Sequence, residues 1–182
     1  MDEDFLIFLI KCFYLMVPAY FANMAPVIVK RVNFLKIPAD FGVKFLKKPL
    51  FGKNKTYRGF FFGILFGIII VFIQHKMYVV DTFQKISFYN YENWFLFGLL
   101  MGLGALTGDL IKSFFKRRLN IKPGEKFVPF DQTDFVIGSL MFIMPVYMVN
   151  FTIFLSCLVL SLVLHIIVNH AAFYLKIRNE KW

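Results

Sequence analysis

The sequence predicts an all-α integral membrane protein with five transmembrane helices, and three observations carry that reading. Hydrophobic residues make up 59% of the 182-residue chain, well above the roughly 45 to 50% apolar usage of soluble domains, and the mean hydropathy is +0.65. A hydrocarbon core about 30 Å thick needs roughly 20 mostly apolar residues per helix, and five stretches qualify. The cations, finally, are segregated: of the 21 Lys and Arg, all but Lys11, Lys76 and Lys85 fall in alternate segments between and after those stretches. By the positive-inside rule this places the N-terminus outside and the C-terminus in the cytoplasm, a parity that five helices satisfy.

Span one runs from Phe5 to Val29. The start Met1-Asp2-Glu3-Asp4 lacks a basic region and no small-residue cleavage site follows, so no removable signal peptide is expected. Pro18 and Pro26 should kink this helix, and Asn23 is a polar group near its cytoplasmic end, suited to an interhelical hydrogen bond or to a substrate. Lys11 has an equal claim to snorkelling, packing or a functional role. The first cytoplasmic segment, about residues 30–58, ends in the basic turn Phe51-Gly52-Lys53-Asn54-Lys55-Thr56-Tyr57-Arg58-Gly59. It is not a Walker loop, because Asn54 stands where Gly must precede Lys-Thr and no strand is expected before it. Lys55 and Arg58 remain as phosphate ligands at the start of a helix, where backbone amides add positive potential.

Span two, Gly59 to Val80, carries Gly59, Gly63 and Gly67; span three, Trp94 to Ile111, carries Gly98, Gly102, Gly104 and Gly108. Small residues at these intervals let helices approach closely, so they read as packing surfaces. Continuing span three as a helix through Asn120 puts Asp109, Lys112, Ser113, Lys116, Arg117 and Asn120 on one face and Leu110, Ile111, Phe114 and Phe115 on the other. An interfacial helix touching headgroups has the same pattern. Arg118 points into the apolar face and is expected to snorkel to headgroups.

After the second cytoplasmic segment, about 112–133, span four runs from Phe135 to Val149 and contains Pro145; span five runs from Phe151 to Leu175. Asp131 and Asp134 lie on one side of the first turn leading into span four, where either carboxylate would also serve as a cap or dipole partner. Facing Asp109, the pair would supply the hard oxygen ligands that Mg²⁺ takes beside phosphates. Cys12 and Cys157 lie in apolar spans without metal-ligand spacing, and His75, His165 and His170 share no ligand face; all read as packing residues. Asn150-Phe151-Thr152 matches a glycosylation pattern but abuts the membrane.

Four ordered motifs together resemble the CDP-archaeol synthase family: Asn23-Met24-Ala25-Pro26, Phe51 to Gly59, Gly108 to Arg118, and Pro129-Phe130-Asp131-Gln132-Thr133-Asp134-Phe135. The resemblance spans nearly the whole chain, as one domain over residues 1–182. It implies a membrane cytidylyltransferase of ether-lipid synthesis that uses CTP, Mg²⁺ and a geranylgeranylated glycerol phosphate. Similarity to CDP-diacylglycerol synthases is weaker: Ser113, Lys116, Arg117 and Lys122 match their Ser-x-x-Lys-Arg-x4-Lys-Asp pattern, but Pro123 replaces the Asp, and His-Gly-Gly is absent before Asp131.

Joined to the residues, the resemblance implies catalysis by Asp109, Lys116, Asp131 and Asp134. Asp109, Asp131 and Asp134 would hold metal, and Lys55, Arg58, Lys112, Lys116 and Arg117 would bind phosphates. Thr56 belongs to the same binding set, with Asn23, Ser113 and Gln132 as candidates for reading cytosine. The expected partners are CTP, the isoprenoid lipid and the membrane. Nucleic acid is not among them, because the net charge of +10 follows membrane topology and forms no single soluble basic face. A phosphatidate-specific synthase and a small transporter are the alternatives. The transporter would carry its charges at mid-membrane, whereas these gather at one rim.

Overall fold

The computed structural model describes residues 4–122, 125–174 and 176, so Met1 to Glu3, the departure at Pro123 and the tail cations Arg178 and Lys181 lie outside the described residues. The chain is a helical bundle: α1 (Phe5–Ile28), α2 (Tyr57–Met77), the short α3 (Asp81–Lys85), α4 (Trp94–Arg118), α5 (Phe130–Ile143) and α6 (Phe151–Tyr174). Among the described residues four helices are long and apolar enough to cross a membrane, over 5–31, 57–77, 94–118 and 151–171. The multi-pass membrane reading therefore stands.

The fourth expected span differs from its prediction. Its helix, α5, begins at Phe130 and stops at Ile143, two residues before Pro145, which has no N–H with which to continue the helical ladder. Fourteen residues at 1.5 Å each reach only about 21 Å. Asp131 and Asp134 thus lie inside the first turn and a half of α5 rather than ahead of it.

Helix α4 is the hub, packing against α5, α2 and α1, while α6 covers α5 and α1. Glycine makes the hub. A Cβ on Gly108 would overlap the carbonyl oxygen of Asp134, and one on Gly138 would overlap that of Gly104. Backbones can approach this closely only where at least one side presents glycine, and Gly104 with Gly138 supplies it on both. On the other face of α4, a Cβ on Gly102 would come within 2.9 Å of Ile64 Cα in α2. Polar staples lie between helices: Tyr20 and Ser161 share a 2.7 Å hydrogen bond, and Gln74 Nε2 donates to the Tyr14 carbonyl at 2.7 Å. Cys12 and Cys157 are buried, and the Cys157 thiol donates to the Cys12 carbonyl. Asn150, set aside as a glycosylation acceptor, caps α6 by accepting from the Ile153 N–H at 2.8 Å.

One end of the bundle is aromatic. Tyr89 stacks on Phe97 at 4.5 Å, Tyr91 and Tyr147 pack on Tyr89, and Lys11 Nζ lies 5.5 Å above the Phe88 ring, which gives that intramembrane cation a packing role. The other end carries the segment between α1 and α2. It contains a small antiparallel hairpin, β1 (Lys44–Phe45) and β2 (Lys48–Pro49), which the sequence reading did not anticipate.

Candidate active site

Lys112 is the centre of the charged end. Its Nζ lies 3.0 Å from Asp109 Oδ1, 3.1 Å from Asp131 Oδ1 and 2.8 Å from Asp134 Oδ2. Two elements make this convergence. The three-residue spacing of Asp109 and Lys112 puts both on one face of α4, and that of Asp131 and Asp134 puts both on the facing side of α5. The Gly108 contact with the Asp134 backbone then closes the distance between the helices.

Two further cations complete the cluster. Lys55, from the basic turn before α2, pairs with Asp109. Lys116, one turn after Lys112, lies 3.1 Å from both oxygens of Asp131 and also donates to the Glu125 carbonyl. Asp131 additionally accepts from the Phe127 N–H at 2.6 Å, so it pins the chain entering α5 while facing the cluster. Asp134 is buried, and apart from the ion pair with Lys112 its oxygens have no hydrogen-bond partner among the described residues.

The turn that delivers Lys55 is itself organised by a buried carboxylate. Asp40 accepts from the N–H groups of Gly42, Phe51 and Gly52 at 3.0, 3.1 and 3.1 Å. Burial pushes the Asp40 carboxyl up, but these three donors outweigh it and hold the group below the ordinary carboxylate range. This role was missed in the sequence. The spacing Asp40-Phe41-Gly42, an Asp two residues before Gly, is the Asx-turn signal that could have found it.

Two cavities meet at Lys112. One, of about 110 Å³, is lined by Gly52, Lys53, Asn54, Lys55, Ser113, Lys116 and Arg117 besides Lys112, and is strongly basic. Arg117 Nε is buried there without a partner among the described residues. The other, of about 490 Å³, is an apolar groove between α4 and α5 walled by Ile111, Phe115, Phe130, Ile137 and Met141, with Lys112 and Asp134 reaching into it. Lys53, Asn54 and the groove were not foreseen; the groove is invisible to a one-dimensional reading, because its walls come from two helices brought together by glycines.

Several expected site residues hold other posts. Thr56 caps α2 by accepting from the Gly59 N–H at 3.3 Å, and Arg58 is buried with Nη1 donating to the Val32 carbonyl at 2.6 Å. Both shape the turn and line neither cavity. Ser113 lines the basic cavity while its hydroxyl donates to the Asp109 carbonyl at 2.7 Å. Asn23 is half-buried on α1 and Gln132 is buried with Oε1 lacking a partner among the described residues; neither lines either of these two cavities. Arg118 corrects its prediction. Rather than snorkelling to headgroups, it donates to the carbonyls of Phe45, Lys48 and Pro49 and sits between the Phe45 and Phe114 rings, at 5.4 and 5.0 Å from their centroids. It ties the hairpin to α4, because the hairpin's carbonyls satisfy a guanidinium that hydrocarbon would not.

As a donor set, the cluster is all hard oxygen, which is the chemistry Mg²⁺ requires. As the side chains stand, Lys112 holds the centre, and among the described residues no three acids, histidines or cysteines are grouped closely enough to form a metal centre.

The family model described as CarS-like, CDP-archaeol synthase, matches residues 5–182. The CDP-archaeol synthase of Pyrococcus abyssi is 37% identical over 174 residues, covering 94% of this chain and 97% of its own length. That of Pyrococcus furiosus is 36% identical over 175 residues, covering 96% and 98%. A solved structure described as an intramembrane enzyme for archaeal membrane lipids biosynthesis matches with a TM-score of 0.65 at 30% identity, covering 86% of this chain and 90% of the other. Matches of this length, on a bundle whose Asp–Lys cluster lies at one end where the motifs fall, make the chain an enzyme of the CDP-archaeol synthase family.

Proposed function

We propose that the chain transfers CMP from CTP to the phosphate of an isoprenoid glycerol phosphate, 2,3-di-O-geranylgeranylglyceryl phosphate, giving CDP-archaeol and pyrophosphate. The observation that carries this reading is the shared wall at Lys112. A basic cavity sized for phosphates opens beside an apolar groove that suits isoprenoid chains, and the Lys112 side chain lines both.

The lipid phosphate needs little general-base help, because its second pKa is about 6 and it is largely dianionic near neutral pH. Its oxygen attacks the α-phosphorus of CTP in line; a new P–O bond forms, the bond to the β-phosphate breaks, and pyrophosphate departs with the electron pair. Catalysis then rests on positioning and charge. Lys53, Lys55, Lys116 and Arg117 line the basic cavity and are placed to hold the triphosphate. The Arg117 Nε supplies a donor that no group among the described residues consumes. Lys112 orients the lipid phosphate at the mouth of the groove. Asp109, Asp131 and Asp134 would hold Mg²⁺, which when bound supplies charge neutralisation of the phosphates. The three carboxylates could serve either cation, and with Mg²⁺ bound to them the Lys112 ammonium would be available to phosphate.

We read the membrane topology as five crossings with the N-terminus outside and the site at the cytoplasmic face of the cell membrane. The distribution of cations supports this parity. The fifth crossing combines α5 with residues 144–149, where the N–H groups of Val146 and Tyr147 both find the Ile143 carbonyl and so remain satisfied away from water.

The test is pyrophosphate release by the purified protein from a panel of nucleotides and lipid phosphates with and without Mg²⁺. CTP with the geranylgeranylated ether lipid should be the best pair. Preference for phosphatidate would reassign the lipid, and absence of any lipid-dependent release would overturn the reaction.

A further inference from the structure

We propose that the hairpin Lys44–Pro49 is a membrane anchor whose tip docks into the anionic headgroup layer of the leaflet on the site's side of the bundle. Three independent features point there. The first is exposure. Phe41, Val43, Phe45 and Leu46 are 70, 55, 50 and 73% exposed, although each is a large apolar side chain in a segment whose strands are two residues long. Isolated exposed apolar residues are ordinary, but a contiguous group on a protruding hairpin marks a surface that something covers.

The second is charge. Lys44 and Lys47 are exposed between these apolar residues, and the segment from Phe41 to Leu50 contains no acid. The nearest carboxylate, Asp40, is turned inward onto three backbone N–H groups. Apolar side chains interleaved with ammonium groups fit the boundary between acyl chains and lipid phosphates, where the rings and Leu46 lie in the apolar zone and the lysines reach the anions.

The third is the backbone of the tip. Leu46 and Lys47 have φ of 51° and 62°, the left-handed region in which two-residue hairpin turns favour Asn-Gly. Placing Leu-Lys there strains the turn, and strain of this kind is retained where a side chain is needed at that spot. What the substitution provides is one apolar group and one cation at the outermost point.

The position of the hairpin commits the occupant to the protein's own membrane. Arg118 and Lys48 tie it to the C-terminal end of α4, the latter by donating to the Arg118 carbonyl at 3.0 Å. α4 is one of the helices long enough to span. On the same helix end Phe115 and Leu119 are 53 and 60% exposed, so the apolar surface continues from helix to hairpin. The Leu50 N–H donates to the Val43 carbonyl at 3.1 Å, joining the hairpin to the Phe51–Lys55 turn. Docking therefore holds that turn over the cluster whatever reaction occurs there.

The experiment uses the full chain with Leu46→Trp in nanodiscs, compared with the unsubstituted protein, whose two Trp supply the background. In discs containing phosphatidylglycerol the added Trp should be quenched by brominated acyl chains and shielded from aqueous iodide. Adding Lys44→Glu and Lys47→Glu should undo this, by about fivefold in the docked-to-free ratio for each lysine lost from an anionic surface. Thermal unfolding confirms that the variants are folded. Iodide quenching of the added Trp to the level of a free indole would overturn the proposal. So would shielding from both quenchers, which would mean a protein contact, or docking unchanged in purely zwitterionic discs.

Discussion

The two ends of the bundle solve opposite problems with the same helices. At the aromatic end Tyr78, Tyr89, Tyr91, Tyr147 and Phe97 are packed ring against ring, and the polar groups of the connection close on one another: Ser87 donates to the Tyr89 carbonyl and Asn90 to Glu92. At the charged end Asp134, Gln132, Arg58, Arg117 and Arg118 bury polar atoms that have no hydrogen-bond partner among the described residues, four of these side chains being charged, whereas toward the aromatic end the atoms so left belong to the neutral Tyr14 and Gln74. A buried polar group left in this state costs about 1 to 3 kcal/mol. The lesson is that stability and reactivity are kept apart: one end holds the helices together, and the other keeps unsatisfied charge where a polyanionic substrate can complete it.

The largest effect that tests this contrast is loss of chemistry without loss of fold. Asp134→Asn should lower CTP-dependent pyrophosphate release by on the order of a hundredfold or more, the scale for removing one group that stabilises charge at a reacting centre. The variant should still behave as folded protein in detergent. Near-normal turnover would end the assignment of Asp134 to the site.

At the aromatic end the signs should reverse. Phe97 is buried and stacked on Tyr89, so Phe97→Ala should cost about 3 to 5 kcal/mol of stability by leaving a cavity. Turnover of the molecules that remain folded, measured below the unfolding transition, should change little. A selective fall in kcat would show that the two ends are coupled.

A comparable loss of stability, about 3 kcal/mol, is expected from Lys112→Gln, because it strands the buried Asp134 beside Asp109 and Asp131, which keep Lys55 and Lys116. Unlike the Phe97 defect, this one should be repaired by millimolar Mg²⁺ in a thermal-unfolding assay, since the ion replaces the lost charge. Failure of Mg²⁺ to raise the midpoint of this variant would argue against competition between the ammonium and the metal.

The smallest effect concerns Asp40. Its folded-state pKa is depressed, so its contribution is fully present above the unfolded value, near 4, and is lost as pH falls through the folded value beneath it. Asp40→Asn should therefore reduce stability at neutral pH by under about 1 kcal/mol and flatten the decline below pH 4. An unchanged acid limb would remove Asp40 from the set of groups that organise the turn.

Much of the protein was legible in one dimension, for identifiable reasons. Spans one, two, three and five come from apolar runs long enough that no soluble alternative competes. The shared face of Asp109, Lys112 and Lys116 follows from helical spacing alone, and the pairing of Asp131 with Asp134 follows once α5 begins at Phe130. Arg118 shows the limit. Its place on the apolar face was read correctly, but the partner was taken to be lipid, because a hairpin that rises some 70 residues earlier in the chain leaves no trace in the periodicity of α4. Thr56 and Arg58 show a second limit: basic and hydroxyl residues beside a basic cavity serve equally well as caps and struts, and only their hydrogen bonds separate the two uses.

The sequence by itself determined that this is a helical membrane enzyme of the CDP-archaeol synthase family with most of its cations at one end, because hydropathy, helical phase and cation placement are local properties of the chain. Tertiary structure alone decided that Lys112 stands at the meeting point of three carboxylates and two cavities. That arrangement depends on α4 and α5 touching backbone to backbone at Gly104, Gly108 and Gly138, and the absence of three side chains says that helices can approach without saying which charge will fill the space between them.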